Sequence, residues 1–275
     1  CSSGPDSMAL LHLLQDIAAH RHTKYKLGIA IVDHSIRPES KDEVLWLRNQ
    51  VDALGVSFYT TAFDVPTLSK DLKLSEETVG RRVRYQWLNE IAQSEGYDYI
   101  AVAHHKDDQA ESILAHLIRG TGLKGLTGMA VVSNDYDIPV IRPLLDVTKE
   151  ELLADRKLTY CIDSTNDDIR YQRNRIRHRI IPELESINPN VVDAIARLGC
   201  SVSEDLAVIS NLTVQAFERL VTIDKNEMRL SRKALRNEPV AIQRRLWQRL
   251  MSSIDSDITL TIAHQEQLLD IVNTG

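Results

Sequence analysis

Two patterns of apolar and polar positions alternate along the first 150 residues. One is the short continuous apolar run, such as Leu27–Val32, which is typical of a strand buried in a parallel sheet. The other repeats apolar residues every three or four positions, which predicts amphipathic helices. Together they predict strands over 27–32, 56–63, 98–103 and 139–142, and helices over 10–19, 42–54, 75–96 and 108–118. Strands that alternate with helices indicate βαβ units around a parallel sheet.

The pattern changes after about residue 180. Helical periodicity dominates 189–220 and 239–252, and only 228–230 and 258–262 carry weak strand signals. We therefore expect an α/β domain with a Rossmann-like parallel sheet, followed by a smaller and mainly helical C-terminal domain. The predicted boundary lies near Pro182–Pro189, which gives domains 1–182 and 183–275.

The chain opens on a segment of small and polar residues that runs straight into the first predicted helix. The N-terminus of a helix presents unpaired N–H groups and partial positive charge, and small residues before it let an anion approach the backbone. The alternative is an ordinary helix cap, because neither a Walker A loop nor a dinucleotide fingerprint is present. Loops of this kind normally follow a buried strand, so we expect such a strand upstream of this numbering. The loop consists of Ser2, Ser3, Gly4, Pro5, Asp6 and Ser7.

Polar side chains follow two of the predicted strands. Asp33 and His34 end one strand, and His104 and His105 end another. Because ligands of parallel sheets bind beyond the carboxyl ends of the strands, we expect these residues to line a polar site. A zinc site is the less favoured alternative, since adjacent histidines point in different directions and no cysteine is near. The second strand end continues into three acidic residues: Asp107, Asp108 and Glu111.

A glycine-rich segment follows the helix predicted over 108–118. Gly120 suits the C-cap of that helix, and the neighbouring cations Arg119 and Lys124 could reach over a phosphate group. Thr121 and Gly122 complete the segment and are further candidates for the lining of the site.

Charge is distributed unevenly in a chain whose net charge is −6. Residues 156–182 carry 7 basic and 3 acidic side chains, with five arginines between positions 170 and 179. The paired N–H donors of arginine suit the phosphates of a nucleic-acid backbone, so this cluster indicates a nucleic-acid contact. The alternative is a solvated helix whose arginines pair with Asp167 and Asp168. The nucleic-acid candidates are Arg170, Arg173, Asn174, Arg175 and Arg177.

Composition narrows the cellular setting. The three cysteines are far apart and form no C-x-x-C pair, which argues against a disulfide framework and favours a reducing, cytoplasmic compartment. No apolar run approaches the roughly 18 residues that a membrane span requires, so we expect no membrane partner. The oligomeric state stays open between a monomer and a homodimer.

The order of these segments resembles one enzyme family. Ser2–Ser7 is similar to the S-G-G-x-D-S PP-loop of the N-type ATP pyrophosphatases, with Ser3 at the position of the first glycine. Within that group, the remaining segments resemble tRNA(Ile)-lysidine synthetases from residue 1 to about 200. These segments are 32–38, Arg84-Tyr85, 103–111, 117–122, 141–144 and 163–175.

The resemblance implies a reaction and a set of roles. ATP would adenylate the C2 oxygen of the cytidine at the first anticodon position of an isoleucine tRNA with a CAU anticodon, and lysine would then displace AMP to form lysidine. The implied roles are ATP binding for Ser2–Ser7 and His34, Mg²⁺ binding for Asp6, catalysis for Asp6, Asp33 and Arg119, and tRNA binding for the arginine cluster and the C-terminal domain. A tRNA thiolase of the same PP-loop group and a non-catalytic ATP- or RNA-binding module are the alternatives.

Overall fold

The computed structural model describes residues 1–20, 25–35, 40–52, 54–154, 158–161, 169–224, 227–255, 258 and 260–274. Contacts divide the chain into two compact units, Cys1–Gly199 and Cys200–Gly275.

The first unit alternates strands with helices, as predicted. Its strands are β1 (Gly28–Asp33), β2 (Ser57–Ala62), β3 (Ile100–Ala101), β4 (Val132–Ser133) and β5 (Val140–Ile141). Its helices are α1 (Pro5–His20), α2 (Ser40–Asp52), α3 (Val65–Leu72), α4 (Glu76–Glu95), α5 (Lys106–Arg119), α6 (Leu123–Leu126), α7 (Lys149–Leu153), α8 (Gln172–Arg175) and α9 (Ile181–Ile187). A π-helical turn, Ile176–Ile180, joins α8 to α9, and α10 (Val191–Leu220) begins in this unit and ends in the second.

The strands of the first unit form two ladders. β1 pairs with β2 in parallel, from Gly28 opposite Ser57 to Asp33 opposite Ala62. β5 pairs in parallel with β3 and antiparallel with β4. The predicted parallel-sheet α/β class is thereby confirmed, with β4 as an antiparallel strand that the pattern did not predict.

Helices cover the sheet through separate apolar contacts. Met8 and Leu11 of α1 and Leu47 and Val51 of α2 pack with Ile29 and Ile31 of β1. Leu47 and Val51 are fully buried, and burial of each such side chain contributes about 2 kcal/mol to folding. This packing holds the start of α1 beside the carboxyl end of β1, where the candidate residues lie.

Helix boundaries follow local capping chemistry. The Ser75 side chain accepts a hydrogen bond from the backbone N–H of Thr78, and Gly96 ends α4 in the left-handed conformation, as the pattern predicts. Helix α5 begins at Lys106, earlier than predicted, because His105 serves as its N-cap and Asp108 accepts a bond from the backbone N–H of His105. Gly120 is the C-cap of α5.

The second unit is mainly helical. It contains the end of α10, a hairpin of β6 (Val221–Asp224) and β7 (Glu227–Leu230), α11 (Arg232–Arg236), α12 (Val240–Ile254) and α13 (Ile262–Thr274). Its core includes Ala216, Leu235 and Leu246. The weak strand predicted over 258–262 is wrong for the described residues of that range, because Ile262 already begins α13.

The division at residue 199 lies beyond the boundary predicted at 182/183. Ile181 of α9 and Val192 of α10 pack on Ala110 of α5. A side chain at Gly199 would meet the Ile113 side chain at 2.8 Å, so α10 still lies close against α5 at this position. These contacts place 183–199 in the first unit.

Candidate active site

The opening loop is a braced turn before α1. The Ser7 hydroxyl donates to the Gly4 carbonyl at 3.0 Å and accepts from the Ser2 backbone N–H at 3.2 Å. Ser3 has a φ of 58°, in the left-handed region, and is fully buried. Pro5 then begins α1, where a proline costs no hydrogen bond because the first N–H groups of a helix are unpaired.

Two buried oxygen atoms of this loop have no hydrogen-bond partner among the described residues, Ser3 Oγ and Asp6 Oδ1. An unpaired buried polar atom is costly, and such atoms in native proteins usually meet a ligand, water or ion. A hydroxyl and a helix N-terminus suit an anion, whereas a carboxylate oxygen suits a cation. The loop therefore fits a phosphate chain that carries a metal ion.

A buried histidine connects this loop to α5. His105 is 1% exposed, and its Nε2 lies 3.7 Å from Asp6 and 3.5 Å from Asp108, while its Nδ1 lies 3.3 Å from Asp107. Burial alone would lower the pKa of His105, but the three carboxylates outweigh it and raise this pKa to about 9. His105 is consequently an imidazolium that holds three aspartates together.

The preceding residue, His104, has a lowered pKa instead of a raised one. Burial lowers the pKa of His104 to about 4, and the guanidinium groups of Arg173, Arg142 and Arg81 counter the effect of Asp108. Adjacent residues at the end of one strand thus carry different charges near neutral pH. His104 supplies a neutral imidazole, whereas His105 supplies a cation.

Asp33 braces the turn at the end of β1. Its Oδ1 accepts hydrogen bonds from the backbone N–H of Ser35 at 2.7 Å and from the hydroxyl of Ser40 at 2.6 Å. The adjacent His34 has its pKa lowered by burial and by the Arg84 guanidinium. Asp33 is the last residue of β1 and His34 follows it, so both lie at the carboxyl end of the strand, as the strand-end rule predicted.

The arginine cluster packs on α5. Arg173 binds Asp108 at 2.7 Å and Glu111 at 2.8 Å, and Arg177 binds the same carboxylates at 3.0 and 2.5 Å. Asp108 and Glu111 are buried, and the guanidinium of Arg173 and the imidazolium of His105 outweigh burial to lower the pKa of Asp108. The alternative pairing with Asp167 and Asp168 falls outside the described residues. Two of the five predicted RNA-binding residues are thus neutralised by internal partners.

These groups surround one cavity of about 730 Å³. The loop residues Ser2, Asp6 and Ser7 line it together with the strand-end residues Asp33, His34 and His104. From the segments around α5 and α8 it receives Asp108, Arg173, Asn174 and Arg177. The cavity also extends between β1 and β3 along apolar side chains, so only its polar end is the candidate site.

A family model described as a PP-loop domain matches residues 1–184. A tRNA(Ile)-lysidine synthase of Nostoc sp. is 32% identical over 288 aligned positions, which cover 98% of this chain and 81% of the relative. The chain belongs to the tRNA(Ile)-lysidine synthase family.

Other lysidine synthases share the family segment. The enzyme of Thermosipho africanus is 40% identical over 79% of this chain, and that of Porphyromonas gingivalis strain W83 is 36% identical over 71%. The chain spans only 50% and 42% of these two relatives, so it covers about half the length of the relatives to which it is most similar here.

A solved structure has the same fold. The U34-tRNA thiolase NcsA from Methanococcus maripaludis matches with a TM-score of 0.58 and 20% identity, over 74% of this chain and 70% of the thiolase. At this identity the likeness shows the fold alone.

Some predicted residues lie away from this cavity. Arg119 is exposed and its guanidinium donates to Gln172 at 3.3 Å. Neither Arg119 nor the segment Gly120, Thr121, Gly122 and Lys124 is among the residues that line the cavity. Arg170 and Arg175 are exposed at the surface. The roles proposed for these residues stay predictions.

Helix α4 supplies lining residues that were absent from the predicted site, among them Glu77, Gly80, Arg81 and Arg84. Their helical spacing with the buried Tyr85 is the signal that could have found them, because Arg81 and Arg84 occupy neighbouring turns of one helix face. A side chain at Gly80 would meet the His34 ring at 3.6 Å, so this helix approaches the strand end closely.

Proposed function

We propose that this protein is the catalytic part of a tRNA(Ile)-lysidine synthetase. Its substrates are ATP, L-lysine and an isoleucine tRNA with a CAU anticodon. The observation that carries the proposal is that the phosphate loop, Asp33 and the Asp108 carboxylate line the same cavity. Membership of the lysidine synthase family supports the choice of tRNA and amino acid.

ATP would place its β- and γ-phosphates on the loop. The backbone N–H groups at the start of α1 would bind these oxygens, and Ser2–Ser7 would supply the cradle, of which Ser2, Asp6 and Ser7 line the cavity. The unpartnered Oδ1 of Asp6 would hold a Mg²⁺ ion, since Mg²⁺ usually takes one or two carboxylates together with phosphate oxygens. When bound, that ion neutralises charge on the phosphates.

The first step is adenylation of the cytidine. Its C2 oxygen attacks the α-phosphorus, a new phosphorus–oxygen bond forms, and pyrophosphate leaves from the loop. Asp33 and the neutral His34 would position the nucleotide and the base at the end of β1. Arg119 lies outside the cavity lining and would have to leave Gln172 to stabilise charge near the α-phosphate. Positioning and charge stabilisation supply most of the rate in such transfers.

The second step joins lysine to the base. The ε-amine of lysine, after it loses a proton, attacks C2, and AMP leaves with the C2 oxygen. His104 offers the cavity a neutral imidazole that can take a hydrogen bond from the lysine amine, and Asp108 lines the cavity beside it with its carboxylate bound to Arg173 and Arg177. Asp107 and Glu111 act on this site through His105 and Arg173, so they are positioning residues.

The tRNA contacts belong to surfaces outside this centre. The exposed Arg170 and Arg175 suit phosphates of the anticodon stem-loop, where an unstacked base is accessible. Asn174, Arg173 and Arg177 lie at the cavity and would meet the nucleotide that enters it. Gly120–Gly122 and Lys124 would close over the substrate from α5, and the unit at 200–275 would add tRNA contacts.

The direct test is incorporation of labelled lysine into an isoleucine tRNA transcript in the presence of ATP. We expect labelling with the CAU transcript and none with a transcript whose first anticodon base is uridine. Asp33→Ala should lower the rate by about 100-fold or more, as loss of a positioned catalytic group does. If a lysidine synthase from a relative labels the transcript and this protein does not, the proposal fails.

The thiolase alternative finds no support in the cysteines. Cys1, Cys161 and Cys200 are free, and burial together with Glu43 raises the pKa of Cys161, which makes its thiol less reactive at neutral pH. Activity that requires Cys161 or Cys200 would favour a thiolase. ATP binding without pyrophosphate release in the presence of tRNA and lysine would favour a non-catalytic module.

A further inference from the structure

Two arginines on one face of α4 lie at the cavity without a carboxylate partner. Arg81 and Arg84 both line the cavity, and their guanidinium carbons lie 4.8 and 5.9 Å from the centre of the Tyr85 ring. No carboxylate of the described residues lies within ion-pair distance of either guanidinium, although Glu77, two turns earlier on α4, also lines the cavity and acts on Arg84 at longer range.

The other two arginines of the described cavity lining have carboxylate partners. Arg173 and Arg177 are matched by Asp108 and Glu111, and the imidazolium of His105 is matched by its aspartates. Arg81 and Arg84 are therefore the two cavity-lining arginines that lack an ion-pair partner among the described residues. Two guanidinium groups close together repel each other, and that repulsion is unfavourable unless an anion lies between them.

The conformation of the pair is fixed before any ligand binds. Tyr85 is buried and stacks on Tyr136, with ring centres 5.3 Å apart and planes 9° apart. The stacked rings give both guanidinium groups a flat surface to pack against. This packing restricts the two side chains, and it thereby lowers the entropy cost of forming hydrogen bonds to a ligand. The surrounding protein and the guanidinium groups of Arg81 and Arg173 lower the pKa of Arg84.

We infer that Arg81 and Arg84 form a phosphate-binding pair on the α4 wall of the cavity. A planar guanidinium presents two parallel N–H donors to a phosphate, and both side chains remain exposed enough to reach one. The ligand chemistry is a phosphate group, which the α-phosphate of ATP or a phosphodiester beside the target cytidine can supply. The choice of ATP and tRNA as sources of this phosphate rests on the proposed function, whereas the existence of the anion site does not.

The experiment compares Arg81→Gln and Arg84→Gln with a matched control, Arg82→Gln. Arg82 is exposed on the same helix and is not among the residues that line the cavity, so its loss removes the same charge outside the site. The dissociation constants of the full-length protein for ATP and for the CAU isoleucine tRNA transcript are measured separately. Thermal unfolding is followed for each variant to verify that it is folded.

Two results support the pair. If the α-phosphate is the ligand, each cavity variant weakens ATP binding by about tenfold, the effect of losing one charge-assisted hydrogen bond, and leaves tRNA binding unchanged. If an RNA phosphodiester is the ligand, tRNA binding weakens instead, and the slope of log K against log salt falls by about one per arginine. Arg84→Lys should retain part of the affinity in either case, because lysine keeps the positive charge but lacks the two parallel N–H donors of the guanidinium group.

The inference is overturned if folded Arg81→Gln and Arg84→Gln bind both ligands as tightly as Arg82→Gln. Lysine transfer is assayed in parallel on the wild type and on Arg82→Gln. If these two proteins transfer no lysine while the cavity variants still lose affinity for ATP or tRNA, the proposed reaction fails and the anion site stands.

Discussion

The Nε2 atom of His105 lies 3.7 Å from a carboxylate oxygen of Asp6 and thereby links the N-cap of α5 to the phosphate loop. The same imidazolium is 3.3 Å from Asp107, which in turn accepts a hydrogen bond from the backbone N–H of Lys149 at 2.9 Å. The side chain of Lys149 reaches back to within 3.9 Å of Asp6. The loop, α5 and α7 are thus joined by one chain of charged contacts.

The charge of His105 predicts a specific pH dependence of stability. Its pKa is about 9 in the folded protein and about 6.5 in an unfolded chain, so folding is stabilised fully below about pH 6.5, and this stabilisation is lost as the pH rises through 9. The loss should be about 3 kcal/mol, because one unit of pKa difference corresponds to about 1.4 kcal/mol. Urea unfolding at several pH values between 6 and 10 measures it.

His105→Gln is the control for this titration. Asp6, Asp107, Asp108 and Lys149 surround this position in both proteins, so the difference between the two curves isolates the imidazolium. We expect the wild type to lose more stability than the variant above pH 8. Parallel curves across this range would show that His105 is not charged.

Ser3→Gly should stabilise the protein. A non-glycine residue in the left-handed region costs roughly 1 kcal/mol, and the buried Ser3 hydroxyl has no hydrogen-bond partner among the described residues. The greater freedom of glycine in the unfolded chain offsets part of this gain. We expect a net increase of about 0.5 to 1 kcal/mol in the free energy of unfolding.

Ser3→Ala separates the two causes. It keeps the side-chain carbon in the strained conformation and removes only the hydroxyl, so it should stabilise less than Ser3→Gly. If the hydroxyl contacts a phosphate, both variants should bind ATP more weakly than the wild type does once the change in stability is taken into account. A Ser3→Gly protein that is less stable than wild type would contradict the strain seen at this position.

Much of the fold was predictable because the strands and helices follow the local periodicity of apolar residues and the residues that cap helices. The β1 run, the Ser75 cap of α4 and the Gly120 cap of α5 all occur as predicted. The strand-end rule also brought Asp33 and His104 to one cavity, since it depends only on strand direction. Helix α3 was not predicted; Asp64 caps it and Pro66 stands in its first turn.

The partners of the arginine cluster depend on packing that no local pattern contains. Asp167 and Asp168 are near the cluster in sequence, whereas Asp108 and Glu111 lie more than 60 positions away from Arg173 and Arg177. The π-helical turn at Ile176–Ile180 and the buried contact of Ile176 with Ala110 set the face that meets α5. A charge count predicted a basic surface, and the folded chain uses part of it internally.

Glu111→Gln should destabilise the first unit. Glu111 is 1% exposed and holds one guanidinium from each of Arg173 and Arg177, so its neutralisation leaves buried positive charge. Breaking a buried ion pair lowers the free energy of unfolding by roughly 3 kcal/mol or more. Because the two arginines are partly exposed, we expect a value of about 3 kcal/mol for Glu111→Gln. Denaturant unfolding of wild type and variant measures the difference.

Glu150→Gln provides the comparison for that experiment. Glu150 is an exposed residue in the first turn of α7, and its neutralisation should change stability by less than about 0.5 kcal/mol. Equal effects of the two substitutions would show that the Glu111 network contributes no more than a surface charge.

Gly80→Ala should be tolerated, whereas Gly28→Ala should not. A side chain at Gly80 meets the His34 ring at an ordinary 3.6 Å, and alanine favours the interior of α4 by about 1 kcal/mol over glycine. A side chain at Gly28 would clash with the Tyr97 hydroxyl, which forces that ring to move. Melting temperatures should rise for the first variant and fall for the second; the reverse order would contradict the packing of α4 and β1.

The most direct measurement of the proposed reaction is mass spectrometry of the anticodon fragment together with a count of AMP released. The protein is incubated with ATP, lysine and the CAU isoleucine tRNA transcript, and the digested tRNA is analysed beside the nucleotide products. We predict lysine attached to the first anticodon nucleoside, with one AMP and one pyrophosphate formed for each lysine. Sulfur at that position, or an unmodified tRNA after ATP has bound, would contradict the assignment of this cavity to lysidine synthesis.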